Sequence, residues 1–151
     1  FCSPTLNEDA LKLCLAIAAF QRRDYATLDV RCAFPYTSMP KGTEFFMEIP
    51  EGQPNSLKRK THMIQLLKYL HGTRERPMLW FSWADDVLQK KFGLTQSLYE
   101  PCLFFTMDIL ILMYMDGFLI FGTRQKIQWF LNKMRTLFEI TSTVYTHRWS
   151  L

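Results

Sequence analysis

The sequence predicts an α+β domain, an antiparallel sheet with helices packed on one face. Three observations lead to that class. Apolar residues recur at helical spacing near both ends of the chain, at Ala10, Leu11, Leu13, Cys14, Ile17 and Ala18 and again at Ile127, Phe130, Leu131, Met134 and Leu137. Short β-favouring apolar runs lie between them, at 103–105, 109–115 and 118–121. Asp116-Gly117 separates the last two runs, and Asp-Gly between apolar segments is a hairpin signal, because a type I′ turn needs positive φ at its central residues. The resulting order, helix, strand, hairpin, helix, strand, hairpin, helix, fits helices laid over one antiparallel sheet.

Each element has a local reason. Residues 3–21 read as a helix, with Asn7 available to cap and Glu8 and Asp9 in the first turn, where the helix dipole favours negative charge. Residues 26–30 read as a strand carrying Asp29 near its end. "FPYTSMPKG" is a loop by its Pro and Gly content, "TEFFMEIP" a short strand closed by Pro50, and "EGQPNS" a second loop. Residues 62–70 suit a strand or short helix, and Pro77 opens a helix that runs to Lys91. Asp85 and Asp86 splay around that helix and read as surface charge, as does the run Lys58-Arg59-Lys60.

Composition sets the bounds. The 151 residues are 48% hydrophobic and 21% charged, which is globular rather than disordered. The aromatic share of 15%, with Phe 13, requires a core that packs large rings. A net charge of +4 is compatible with phosphate-bearing partners. The four cysteines form no CxxC pair, which favours buried thiols in a reducing, intracellular compartment, cytoplasm or nucleus, over a disulfide framework. The N-terminal residues lack the pattern of a secretory leader, and a chain opening on Phe1 is expected to be a piece of a longer protein. Residues 102–121 are long and apolar enough to raise a membrane span, but Asp108 and Asp116 within them favour buried strands and no membrane.

A single carboxylate between two apolar strands is either a turn residue or half of a metal site. Two-metal phosphoryl transfer needs carboxylates from separate strands converging on the ions. One other acid lies at a strand end among apolar residues, Asp29 in "LDVRCAF". If its strand runs beside the Asp116 hairpin, both carboxylates reach one place. Mg²⁺ keeps several waters, so few protein groups are needed to hold it.

"LDVRCAF" resembles the first catalytic motif of a reverse transcriptase, and "YMDGFLI" the second, where that family has Tyr-x-Asp-Asp. More of the chain resembles the copia type of LTR retrotransposon polymerase, in the same order. The matching stretches are "FCSPTLNEDALKLCLAIAA", "FFMEIPEG", "LHGTRERPMLW" and "GLTQSLYEPCLFF". The resemblance implies a polymerase palm-like fold over 1–138 with partial fingers and no thumb, followed by a divergent tail at 139–151. It implies that Asp29, Asp116 and the Val30 carbonyl ligate Mg²⁺, or Mn²⁺ in its place. Phe34 would reject a ribose 2′-OH. Arg74 and Glu75 would lie at the nucleotide, and Tyr114 and Met115 at the primer–template. The partners implied are an RNA or DNA template-primer and a deoxynucleotide, with the rest of a Pol polyprotein missing.

The departures from the family pattern also carry expectations. Gly117 stands where the family has its second Asp, Glu75 where it has Gln, and His71 where it has Tyr. A carboxylate at position 75 repels a triphosphate, and the loss at 117 weakens the hold on metal. The resemblance therefore implies an RNA-directed DNA polymerase by descent whose activity is lost. The alternatives are a non-enzymatic nucleic-acid-binding remnant, drawing on Lys58–Lys60, Arg74 and Arg76, or a small α+β domain without a ligand.

Overall fold

The structure, a computed structural model, describes residues 3–31, 44–50, 62–66 and 76–146. Its centre is an antiparallel sheet built from β1 (Asp24–Val30), β4 (Thr95–Gln96), β5 (Leu103–Phe105), β6 (Ile109–Tyr114), β7 (Gly117–Gly122) and β8 (Ile140–Tyr145), in the order β4-β5-β6-β7-β1-β8. A separate antiparallel pair joins β2 (Phe45–Glu48) to β3 (Met63–Leu66). The helices are α1 (Glu8–Phe20), α2 (Arg76–Asp86) and α3 (Arg124–Arg135). The α+β class and the antiparallel sheet agree with the sequence.

The helices divide between the two faces of the sheet, where the sequence placed them on one. Ala26, Leu28, Val30, Ile111, Met113, Phe118 and Ile120 point to one side. There they meet Trp80, Ala84 and Leu88 after α2 begins, and Ile127, Phe130, Leu131 and Met134 of α3. On the other side Leu110, Leu112, Leu119 and Phe121 meet Leu11, Cys14 and Ala18 of α1. The alternation of strand side chains makes this double coverage visible: Ile111 and Leu112 are neighbours in β6, and both are buried. It also explains the apolar length of 102–121. Central strands covered on both faces read as continuous hydrophobic runs. Three strands occupy that stretch, and no helix among the described residues is long and apolar enough to cross a membrane.

Helix ends follow the local chemistry. The Asn7 side chain accepts a hydrogen bond from the Asp9 amide at 2.8 Å, capping α1. Beyond Asp86 the chain continues in a wider π turn, Val87–Lys91, and stops at Gly93, whose φ of +70° few other residues adopt without strain. Asp86 forms an exposed ion pair with Lys90 along this stretch, as surface charge is expected to, while half-buried Asp85 accepts a hydrogen bond from the Gln89 side chain at 2.6 Å. Residues 140–145, expected within a divergent tail, form β8 and pair with β1 from Tyr25 to Val30.

One buried carboxylate ties the N-terminus of α1 to the sheet. Glu100 accepts from the Asn7 amide at 3.1 Å and from the Cys102 amide at 3.0 Å. Burial, and then the charge and hydrogen bonding of Glu100, push the Cys102 thiol up to about 12 from 9.0. The folded protein therefore keeps a proton that the unfolded chain releases above pH 9.0, so this site lowers stability as pH rises from there toward about 12. Urea midpoints measured through that interval should fall less steeply in Cys102→Ala than in the native chain. Parallel slopes would contradict the assignment.

Gly122 shows a tighter constraint. A Cβ there would lie 2.8 Å from the Asp108 main-chain oxygen, which cannot yield as a side chain could. Gly122→Ala should cost about 1–3 kcal/mol, the usual range for overpacking. An unchanged denaturation midpoint would show that the 108–109 backbone moves freely.

Candidate functional site at the end of strand β1

The site is built by strand register. In β1 the buried Ala26, Leu28 and Val30 alternate with the outward Thr27 and Asp29. Antiparallel pairing sets Asp29 across from Gly117 on one side and from Thr141 on the other. The Val30 amide donates to the Asp116 carbonyl at 3.1 Å. Val30 and Asp116 are thus a hydrogen-bonded pair, and Asp29 and Gly117 form the neighbouring close pair, in which Cα atoms lie about 4.5 Å apart. The carbonyl of a strand residue leaves from the same edge as its amide, so the Val30 carbonyl also faces the β6–β7 turn.

The turn differs from the sequence reading. Tyr114 pairs with Gly117, so Met115 and Asp116 are the two central residues, and Gly117 is already in the strand. Met115 takes φ 54°, while neither Asp116 nor Gly117 has positive φ. Positive φ at the first central position alone matches a type II′ turn rather than the type I′ expected from Asp-Gly. A methionine in that region stores backbone strain. Gly117 needs no glycine freedom. A Cβ there would meet Tyr114 O at 3.4 Å and Leu28 O at 3.7 Å, which is ordinary contact.

Of the residues expected at the site, the structure brings together Asp29, Val30 and Asp116. Asp29 is exposed and Asp116 half-buried. Tyr114 and Met115 occupy the tip, 59% and 64% exposed. Phe34, Arg74 and Glu75 lie outside the described residues, as does Lys58–Lys60. Beside Asp29 a groove of about 640 Å³ runs between α1 and β8, with Thr27, Leu119, Thr141 and Leu11 among its walls. Its lining is mostly apolar, and Asp29, Tyr114 and Gly117 also border it.

Two contributors were not singled out in the sequence. Trp80, within the stretch expected to be a helix from Pro77 to Lys91, donates its indole N–H to the Met115 carbonyl at 2.8 Å. The available signal was chemical: a buried indole needs an acceptor. Arg31 donates to Thr141 Oγ1 at 3.3 Å and pairs with Glu139 at 2.9 Å, which places a cation on the Asp29 side of the sheet. No sequence pattern announced β8, and so nothing announced this contact.

As a donor set, two carboxylates and one carbonyl suit a single hydrated Mg²⁺, an ion held through one or two carboxylates and substrate phosphates. They fall short of a two-metal centre. Among the described residues no group of three or more His, Cys, Asp or Glu comes together to hold a metal. On the β7 side the position opposite Asp29 is a glycine, and on the β8 side a threonine, so neither adds a carboxylate. The family model for reverse transcriptase (RNA-dependent DNA polymerase) matches residues 1–147. No solved structure matches the chain.

Proposed function

The chain belongs to the reverse transcriptase family, and from that premise we propose that it is the palm of a copia-type retrotransposon polymerase whose metal site is one carboxylate short. Asp29 and Asp116 are the surviving ligands, with the Val30 carbonyl beside them. The observation that carries the reading is the register of Asp29 against Gly117 with Asp116 held one step along by Val30. Strand pairing of that kind brings acids from distant parts of the sequence to one point, and the turn reading alone gives no reason for it.

The reaction inherited by descent joins a primer 3′-oxygen to the α-phosphate of a deoxynucleotide and releases pyrophosphate. A bound divalent ion supplies positive charge to the attacking and leaving oxygens. The protein's part is to hold and orient. Asp29 and Asp116 fix the cation, exposed Tyr114 and Met115 present a surface to the primer end, and Arg74 meets phosphate. Phe34 excludes the 2′-hydroxyl of a ribonucleotide. Glu75 opposes the triphosphate by like charge. With Gly117 and Glu75 both subtracting from nucleotide–metal binding, template-primer binding outlasts catalysis.

Two measurements test this on the same preparation. The native chain with Mn²⁺ should bind a template-primer with a steep salt dependence and extend it no further than a metal-free control. Gly117→Asp, which the backbone accommodates, should tighten Mn²⁺ binding in calorimetry by at least about tenfold, since a third carboxylate faces the ion at short range. Equal Mn²⁺ affinity in the two proteins would refute the missing-carboxylate account. Efficient extension by the native chain would refute the loss of activity.

A further inference from the structure

Trp80 is 1% exposed, with its ring stacked on Trp83 at 5.7 Å and set edge-on to Phe138 at 5.7 Å. Its single polar atom leaves this packing to meet the Met115 carbonyl at 2.8 Å. That carbonyl belongs to the central peptide of the β6–β7 turn, the peptide between Met115 and Asp116. Types I′ and II′ differ in how this peptide is turned: I′ needs positive φ at both central residues, II′ at the first alone. Here Met115 alone has it.

The intrinsic preferences of the two residues point the other way. A type II′ turn ordinarily has glycine at its first position, and Asp tolerates positive φ better than most residues. Leaving a buried indole N–H without an acceptor costs more than the bond contributes when made. The side of the turn on which the Met115 carbonyl lies is therefore decided by Trp80.

We propose that Trp80 is a positioning residue whose indole N–H holds the central peptide of the turn, and with it aims the Asp116 carboxylate beside Asp29. Reversal of the peptide changes φ at Asp116 and swings its side chain away from the end of β1. The effect on metal binding rests on reading Asp29 and Asp116 as a cation site; the effect on the turn does not. A small cleft of about 200 Å³ between Pro4, Pro77, Trp80, Tyr114 and Met115 leaves the turn room to reverse.

The test replaces the donor and keeps the ring. In Trp80→Phe, and in a chain carrying benzothienylalanine at position 80, which has the shape of tryptophan without the N–H, the turn is followed by NMR. The native chain should show no strong amide–amide contact between Met115 and Asp116, and slow exchange of the Trp80 indole proton. Both variants should gain that amide–amide contact together with a strong contact within Asp116, the mark of positive φ. Mn²⁺ affinity should fall by about tenfold, the weight of one ordinary hydrogen bond. Either an unchanged contact pattern in the folded benzothienylalanine protein or rapid exchange of the native indole proton overturns the proposal. If the turn reverses but the native chain binds no Mn²⁺, the positioning of the turn stands and the polymerase reading of the two acids falls.

Discussion

The pairing of β1 between β7 and β8 is the constraint on which the site depends. Val30 fixes it at one end through its bond to Asp116, and Ala26, Leu28 and Val30 fix it along the strand by facing the core. A slip of one residue would turn these side chains to the other face and bring Asp29 into the apolar layer. The register that buries the core is thus the same register that keeps Asp29 outward and opposite Gly117. The two acids are placed by hydrophobic packing of the sheet.

Against that background the turn can hold an unfavourable conformation. Met115 sits at φ 54°, where methionine is strained, and Trp80 reaches it from the layer beneath. Trp80 is itself locked by Trp83 and Phe138, so α2 and the segment after α3 both bear on the position of a two-residue turn. Backbone strain persists at a turn only where the surrounding packing holds it in place. The glycine beside it is of another kind. It has room for a side chain and no special φ, so the fold itself does not require a glycine there.

Much of this was legible in the sequence. The strong helical periods gave α1 and α3, and the β-favouring runs gave β5, β6 and β7, because each of these has a periodic or compositional mark. Asp29 and Asp116 were paired by being acids at the ends of apolar strands. Three features were not legible. The turn lies one residue earlier than Asp-Gly suggested: Tyr114 pairs with Gly117, which puts Met115 and Asp116 at its centre, and the contact from Trp80 to the Met115 carbonyl joins residues too distant in sequence for a local motif to show. The placement of α1 on its own face was hidden because strands buried on both sides show no alternation to assign. The strand β8 was hidden because its Thr- and Ser-rich sequence, ITSTVY, carries little hydrophobic signal and is stabilised by pairing with β1.

The central claim is that Asp29 and Asp116 form one cation site. Titration of isotopically labelled protein with trace Mn²⁺ tests it most directly, because the ion broadens the amide signals nearest to it. The account predicts that Val30, Asp116 and Gly117 broaden first and together, and that Asp29→Asn abolishes the effect at all three. Broadening that begins instead at Glu8, Asp9, Asp85 or Asp86, or that survives Asp29→Asn at Asp116, would contradict it.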